Sequence, residues 1–83
     1  MNANEITLTT EVFDDKTVRL VERATDRQVI GGVERIVKSW IVVVEYSKEA
    51  SSRHGYAGYQ RSCVLFSDAA DLFDEFVAAY QAA

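Results

Sequence analysis

His54 and Cys63 are the only histidine and the only cysteine, and with a carboxylate they could form a nucleophilic triad. Cys63, however, lies in a segment with the pattern of a buried strand, where a thiol stays protonated and unreactive. His54 lies in a polar segment between predicted strands. One histidine and one cysteine without spaced partners also do not supply the ligands of a zinc site. The sequence therefore predicts no enzyme activity, no metal and no cofactor.

Acidic residues give the clearest pattern, because charge is separated along the chain. All nine Lys and Arg residues lie between Lys16 and Arg61, and the nine acids of residues 1–61 balance them. After Ser62 there is no base, so the net charge of −4 belongs to the C-terminal segment. Its four acids have helical spacing and form what we call the acidic face: Asp68, Asp71, Asp74 and Glu75. Like-charge pairs at this spacing cost roughly 0.2–0.5 kcal/mol each.

Two interpretations of the acidic face are open. It is either a surface that contacts Lys or Arg on a partner protein, imitating the phosphate spacing of nucleic acid, or a solvated helix face that keeps the chain soluble. Because no nearby base in the sequence relieves the repulsion, we predict that all four acids bind a basic partner.

A second candidate site combines cations with aromatic residues in the segment 47–61. Bases can stack on such aromatic rings while phosphates pair with the cations, as in single-stranded nucleic-acid binding. The alternative is a hairpin loop whose tyrosines cover a sheet edge. The candidate nucleic-acid-binding residues are Lys48, Arg53, Tyr56, Tyr59 and Arg61, and Trp40 and Tyr46 could extend the set.

Size and composition set limits on the function. Residues 1–83 are expected to form one small domain, with 48% hydrophobic and 27% charged residues, which are globular values. The acidic balance disfavours non-specific binding to nucleic acid and anionic membranes. Met1 to Glu5 has no basic segment followed by an apolar run, so we expect no signal peptide and a cytoplasmic protein.

The pattern of elements predicts an antiparallel sheet followed by a helix. Alternation indicates strands at 6–13 and 17–23 around an Asp14-Asp15 turn, with a further turn at 25–27. Gly31-Gly32 lacks phosphate-loop spacing and is expected to break extended structure as a bulge or turn. Strands at 38–46 and 59–66 flank a polar loop at 47–58. Ser67 is expected to cap a helix running from Asp68 to about Tyr80.

The predicted fold is α+β, an antiparallel meander of four to five strands with one C-terminal amphipathic helix packed on one face. Apolar residues on both sides of Trp40–Val44 require cover for a second sheet face, and we expect a partner or a second copy to supply it. The predicted core comprises Ile6, Leu8, Val12, Val18, Leu20, Trp40, Val42, Val44, Val64, Phe66, Leu72, Phe73, Phe76 and Val77.

In its small size, acidity and low cysteine content, the chain resembles small inhibitor proteins encoded by phages, such as anti-CRISPR and anti-restriction proteins. The resemblance covers size and charge and assigns no residue role. The leading hypothesis is a non-enzymatic protein that binds a basic protein surface and blocks nucleic-acid binding there. The alternatives are a single-stranded nucleic-acid-binding module and a structural homodimer joined through the sheet.

Overall fold

The structure describes residues 4–82, and for residues 25–28 it describes the backbone alone. This part of the chain forms a four-stranded antiparallel sheet and two helices. In this computed structural model the strands follow the order β1-β2-β3-β4, which confirms the α+β meander. Their bounds and those of the helices are β1 Glu5–Val12, β2 Lys16–Ile30, β3 Val33–Tyr46, α1 Lys48–His54, β4 Gly58–Cys63 and α2 Phe66–Ala82.

The first hairpin turns where the sequence predicts it. The backbone N–H of Phe13 donates to the carbonyl of Lys16 across the Asp14-Asp15 turn at 2.8 Å. The turn predicted at 25–27 is wrong, because β2 continues to Ile30. A register shift between Ala24 and Asp26 absorbs one residue as a bulge, so pairing with β3 does not end there.

Gly31 and Gly32 form the turn between β2 and β3. Their φ angles of 59° and 79° are both positive, as a two-residue type I′ hairpin requires. Pairing with β1 ends at Arg23, and pairing with β4 begins at Trp40. Residues 24–38 therefore extend beyond the rest of the sheet as a two-stranded ribbon, which we call the arm. The chain measures 51 × 23 × 17 Å along its principal axes.

The polar segment predicted as a loop at 47–58 contains helix α1. The Ser47 hydroxyl accepts a hydrogen bond from the backbone N–H of Ala50 at 3.2 Å, which caps the first turn. Gly55, at φ 81°, ends the helix in the left-handed conformation and donates its N–H to the carbonyl of Ser51. Two good caps around a polar sequence therefore produce a helix where composition alone indicates a loop.

Helix α2 starts at Phe66, two residues before the predicted start. Strand β4 ends at Cys63, so Val64 and Leu65 form a bend rather than the end of a strand. Ser67 lies inside the first turn of the helix instead of capping it. The earlier start places Phe66 against Trp40, with an edge-to-face ring contact at 6.1 Å.

The core lies between α2 and one face of the sheet. Ala69 and Phe73 of α2 pack on a buried cluster of Val18, Leu20, Val42 and Val44. The partly buried Trp40, Leu72, Phe76 and Val77 pack around this cluster, as predicted. Helix α2 contacts β2, β3 and β4. The central strands and the helix therefore hold the core.

Five predicted core residues are exposed, and four buried ones were missed. The exposed residues are Ile6, Leu8, Val12, Val64 and Phe66. The first three belong to the edge strand β1, and the last two flank the turn into α2. The buried residues not predicted are Val21, Ile41, Ala50 and Ala69. Alternation reports which residues share a strand face, but it does not say which strands the helix covers.

Val21 and Ile41 face away from α2, yet they are only 2% and 1% exposed. They lie directly opposite each other in the β2–β3 register. Ion pairs surround them on this second face: Arg19 donates to Glu45 through Nε at 2.8 Å, and Arg23 donates to Glu5 through Nε at 2.7 Å. The aliphatic parts of long charged side chains can cover apolar surface. The centre of the second face is therefore covered within the chain.

Candidate functional site

The acidic face lies on the outer side of α2. Ala69 and Phe73 are buried toward the sheet, and the helical period turns the four acids away from them. Asp68, Asp71, Asp74 and Glu75 are all exposed. Asp68 lies in the first turn, where the positive end of the helix dipole favours a carboxylate. Packing of Ala69 and Phe73 on the sheet thus directs the four acids toward solvent, and none of them takes part in that packing.

Across the described part of the chain, no ion pair joins the acidic face to a Lys or Arg. The ion pairs found there link bases to acids elsewhere: Lys16–Asp15 at 3.3 Å, Arg19–Glu45 at 2.5 Å, Arg23–Glu5, and Lys38–Glu22 at 3.6 Å. Within the described residues, the four carboxylates therefore share one surface of α2 without a direct ion-pair partner.

The spacing of the acids is comparable to that of backbone phosphates. Asp68 and Glu75 are seven residues apart, which corresponds to about 10.5 Å along a helix axis. Four successive phosphates of one DNA strand span about 10 Å along the duplex axis. The acidic face therefore presents as many charges over a similar length.

The second candidate set is only partly brought together. Lys48 and Arg53 lie on α1 and line one shallow depression with Glu49 and Ser52. Tyr59 instead contacts α2: its ring meets Phe76 edge-to-face at 6.0 Å, and its hydroxyl is hydrogen-bonded to that of Tyr80. Tyr59 thus packs against α2 but stays 38% exposed, and Tyr56 is 50% exposed beside Tyr46.

An aromatic cluster at the C-terminal end of α2 contains Tyr46, Tyr56 and Tyr59 of the predicted set and further rings that the sequence did not indicate. Its rings come from β-strands, both helices and the connecting segments: Phe13, Tyr46, His54, Tyr56, Tyr59, Phe76 and Tyr80. His54 stacks on Tyr46 at 4.7 Å, and the Lys16 ammonium lies 4.2 Å from the ring centroid of Tyr80. His54, Tyr56 and Tyr59 are close in the sequence, but no local pattern joins them to Phe13, Phe76 and Tyr80.

The same geometry separates His54 from Cys63. His54 stacks on Tyr46 at one end of β3, whereas Cys63 pairs with Trp40. Trp40 and Tyr46 are six residues apart on one strand, about 20 Å at the usual rise. The two side chains therefore lie near opposite ends of β4 and do not share a site.

Burial raises the pKa of Tyr46 to about 12, with further contributions from the hydrogen bond to Tyr56 and from the charges of Tyr56, Tyr59 and Asp15. Burial and the hydrogen bond to Tyr59 raise the pKa of Tyr80 as well. A tyrosine in an unfolded chain ionises near pH 10. The cluster therefore holds both phenols in the neutral form at alkaline pH.

We expect the free energy of unfolding to fall between about pH 10 and pH 12, because the unfolded chain releases the Tyr46 proton first. The Tyr46 contribution is complete below pH 10 and is lost as pH rises through the folded-state pKa. Tyr46→Phe should make the fall shallower. Urea unfolding of the wild type and of Tyr46→Phe across this pH range measures the effect. Both proteins have the same lysines, so the difference between their slopes reports the titration of Tyr46. Equal slopes would contradict this assignment.

No family model, curated protein sequence or solved structure matches the chain. Among the described residues, no helix has the length and apolar character needed to cross a membrane.

Proposed function

We propose that this protein is a non-enzymatic, cytoplasmic interaction protein that binds a basic protein surface through the acidic face. The observation that carries the proposal is the set of four exposed carboxylates with no ion-pair partner in the described part of the chain. Their mutual repulsion is unfavourable in the free protein and would be relieved by Lys or Arg from a partner. A patch that only promoted solubility would tolerate an interspersed base, and this helix contains none.

The partner surface that fits best is one that normally binds nucleic acid. Such surfaces carry Lys and Arg arranged for phosphates, and the acidic face presents four charges over a comparable length. Occupying such a surface would inhibit nucleic-acid binding by direct competition.

Asp71→Lys together with Glu75→Lys should weaken partner binding by roughly 10- to 100-fold, because two attractive pairs become repulsive. Both residues are exposed, so the fold should remain intact. The partner is first recovered by affinity capture and then purified. The affinity of each variant for it is measured by calorimetry at several salt concentrations. Wild-type binding should weaken as salt rises.

The matched control is Asp14→Lys together with Glu49→Lys. These residues are also exposed but lie outside α2, and this change cancels the net charge of −4 just as the first does. The control should bind like the wild type if position matters and net charge does not. Equal affinity of the wild type and the α2 variant would refute the proposal. A competition assay with an oligonucleotide then tests whether the partner surface is the one that binds nucleic acid.

A further inference from the structure

The arm carries exposed apolar residues that the acidic face does not explain. Val29, Ile30, Val33 and Ile36 are between 55% and 73% exposed, although they lie in regular paired strands. Strand β4 pairs with β3 only from Trp40 to Glu45. Within the described residues, no strand lies along the other edge of β3 from Val33 to Ser39. Such an uncovered strand edge is a template for pairing with another strand.

The direction of the hydrogen-bonding groups on this edge follows from the paired part of β3. Tyr46 donates its backbone N–H to the carbonyl of Ala57 on the β4 side at 2.9 Å. The hydrogen-bonding direction of the backbone alternates along a strand. The N–H and C=O groups of the even-numbered residues of β3 are therefore directed to the side on which β4 lies. Glu34, Ile36 and Lys38 therefore direct their N–H and C=O groups toward the open edge.

Ile36 is the central residue of the open edge, Val33–Ser39. An antiparallel partner strand with the same sequence overlaps Val33–Ser39 completely only when Ile36 lies opposite Ile36. In that register Ile36 forms a hydrogen-bonded pair with its copy, and Glu34 forms one with Lys38 of the other chain, twice. The register with the longest overlap thus also pairs the N–H and C=O groups that face the open edge.

Charge and apolar contacts favour the same register. Each Glu34 lies directly across from a Lys38, and oppositely charged cross-strand pairs are stabilising. Lys38 is already 3.6 Å from Glu22 and would bridge two carboxylates. The two Ile36 side chains meet at the centre. The hairpin turn of the second copy would reach the point where β4 ends, beside the exposed Val64 and Leu65.

We propose that a second copy of this chain binds the open edge of the arm, so that two antiparallel β3 strands centred on Ile36 join the sheets into one. The contact is two-fold symmetric, because each copy contributes the same segment of β3. This interface lies apart from the acidic face and does not depend on its partner.

The test uses sedimentation of the full chain and three arm variants. The wild type should form dimers below roughly 100 µM. Glu34→Lys and Lys38→Glu should each raise the dimer dissociation constant roughly tenfold or more, because like charges then lie opposite each other. An equimolar mixture of these two variants should dimerise again, since the mixed dimer restores opposite charges at both pairs. Ile36→Lys should also weaken the dimer.

Ile6→Lys is the matched control, since Ile6 is 59% exposed and Ile36 is 55% exposed. Ile6 lies on β1, so its replacement should leave the dissociation constant unchanged. Circular dichroism confirms that each variant is folded. A wild type that stays monomeric at roughly 100 µM overturns the proposal. Failure of the two charge variants to recombine overturns it as well, because recombination depends on this register.

Discussion

Gly58→Ala should lower the free energy of unfolding by about 2–5 kcal/mol, from steric overlap together with a strained backbone. Gly58 begins β4 opposite Glu45, at a φ of 149° that residues with a side chain rarely adopt. A Cβ atom there would overlap the carbonyl oxygen of Val44 and lie 3.0 Å from its carbon and 3.1 Å from the Glu45 Cα. These are backbone atoms and cannot rotate away. Relief requires β4 to move away from β3.

Gly55→Ala is the matched control for this prediction. Gly55 also has a positive φ, 81°, but an added Cβ would meet nothing within 4 Å. Only the left-handed backbone is then unfavourable, at about 1–2 kcal/mol. Urea unfolding of both variants separates steric overlap from backbone strain. Equal losses would show that the approach of Gly58 to β3 is not the tight contact described here.

Phe73→Ala should lower the free energy of unfolding by about 3–5 kcal/mol, the usual range for a buried phenylalanine. Phe73 is 8% exposed and packs on Val18, Leu20, Val42 and Val44. A domain of this size has a total stability of roughly 5–10 kcal/mol. The variant should therefore lose a large part of its folded population on warming, which thermal and urea unfolding would detect.

Phe66→Ala provides the comparison within the same helix. Phe66 is 49% exposed, and its ring meets Trp40 at the start of α2. Its loss should cost about 1 kcal/mol, as for an aromatic pair with little buried area. If the two substitutions proved equally destabilising, α2 would not pack on the sheet through Phe73 as described.

The sequence predicted those elements whose signal is local. The Asp14-Asp15 turn, the glycine break and the apolar stripe of α2 each depend on neighbouring residues. The acidic face was predicted for the same reason, because its spacing and the absence of nearby bases are both visible in the sequence. The pairing of the other charges was not predicted, since the pairs Arg19–Glu45 and Arg23–Glu5 join residues 26 and 18 positions apart.

The errors arise where distant contacts decide the structure. The bulge beside Asp26 lets β2 continue past residues that favour a turn, because β3 is already paired beside it. Ile6 and Val12 alternate as a buried strand would, yet they lie on the edge strand β1 and are exposed. The contacts that bring Phe13, Phe76 and Tyr80 to the aromatic cluster around Tyr46 have no signature in the sequence. Each of these outcomes depends on which strands become neighbours.

The meander order has a consequence for how the chain closes into its fold. Each pair of neighbouring strands is also consecutive in sequence, so pairing them closes only short loops. The entropy lost on closing a loop grows with its length, and short-range contacts therefore form readily. Docking α2 is different, because it brings Phe73 onto Val18, which is 55 residues earlier. The sheet can form through local steps, and the core is completed by one long-range closure.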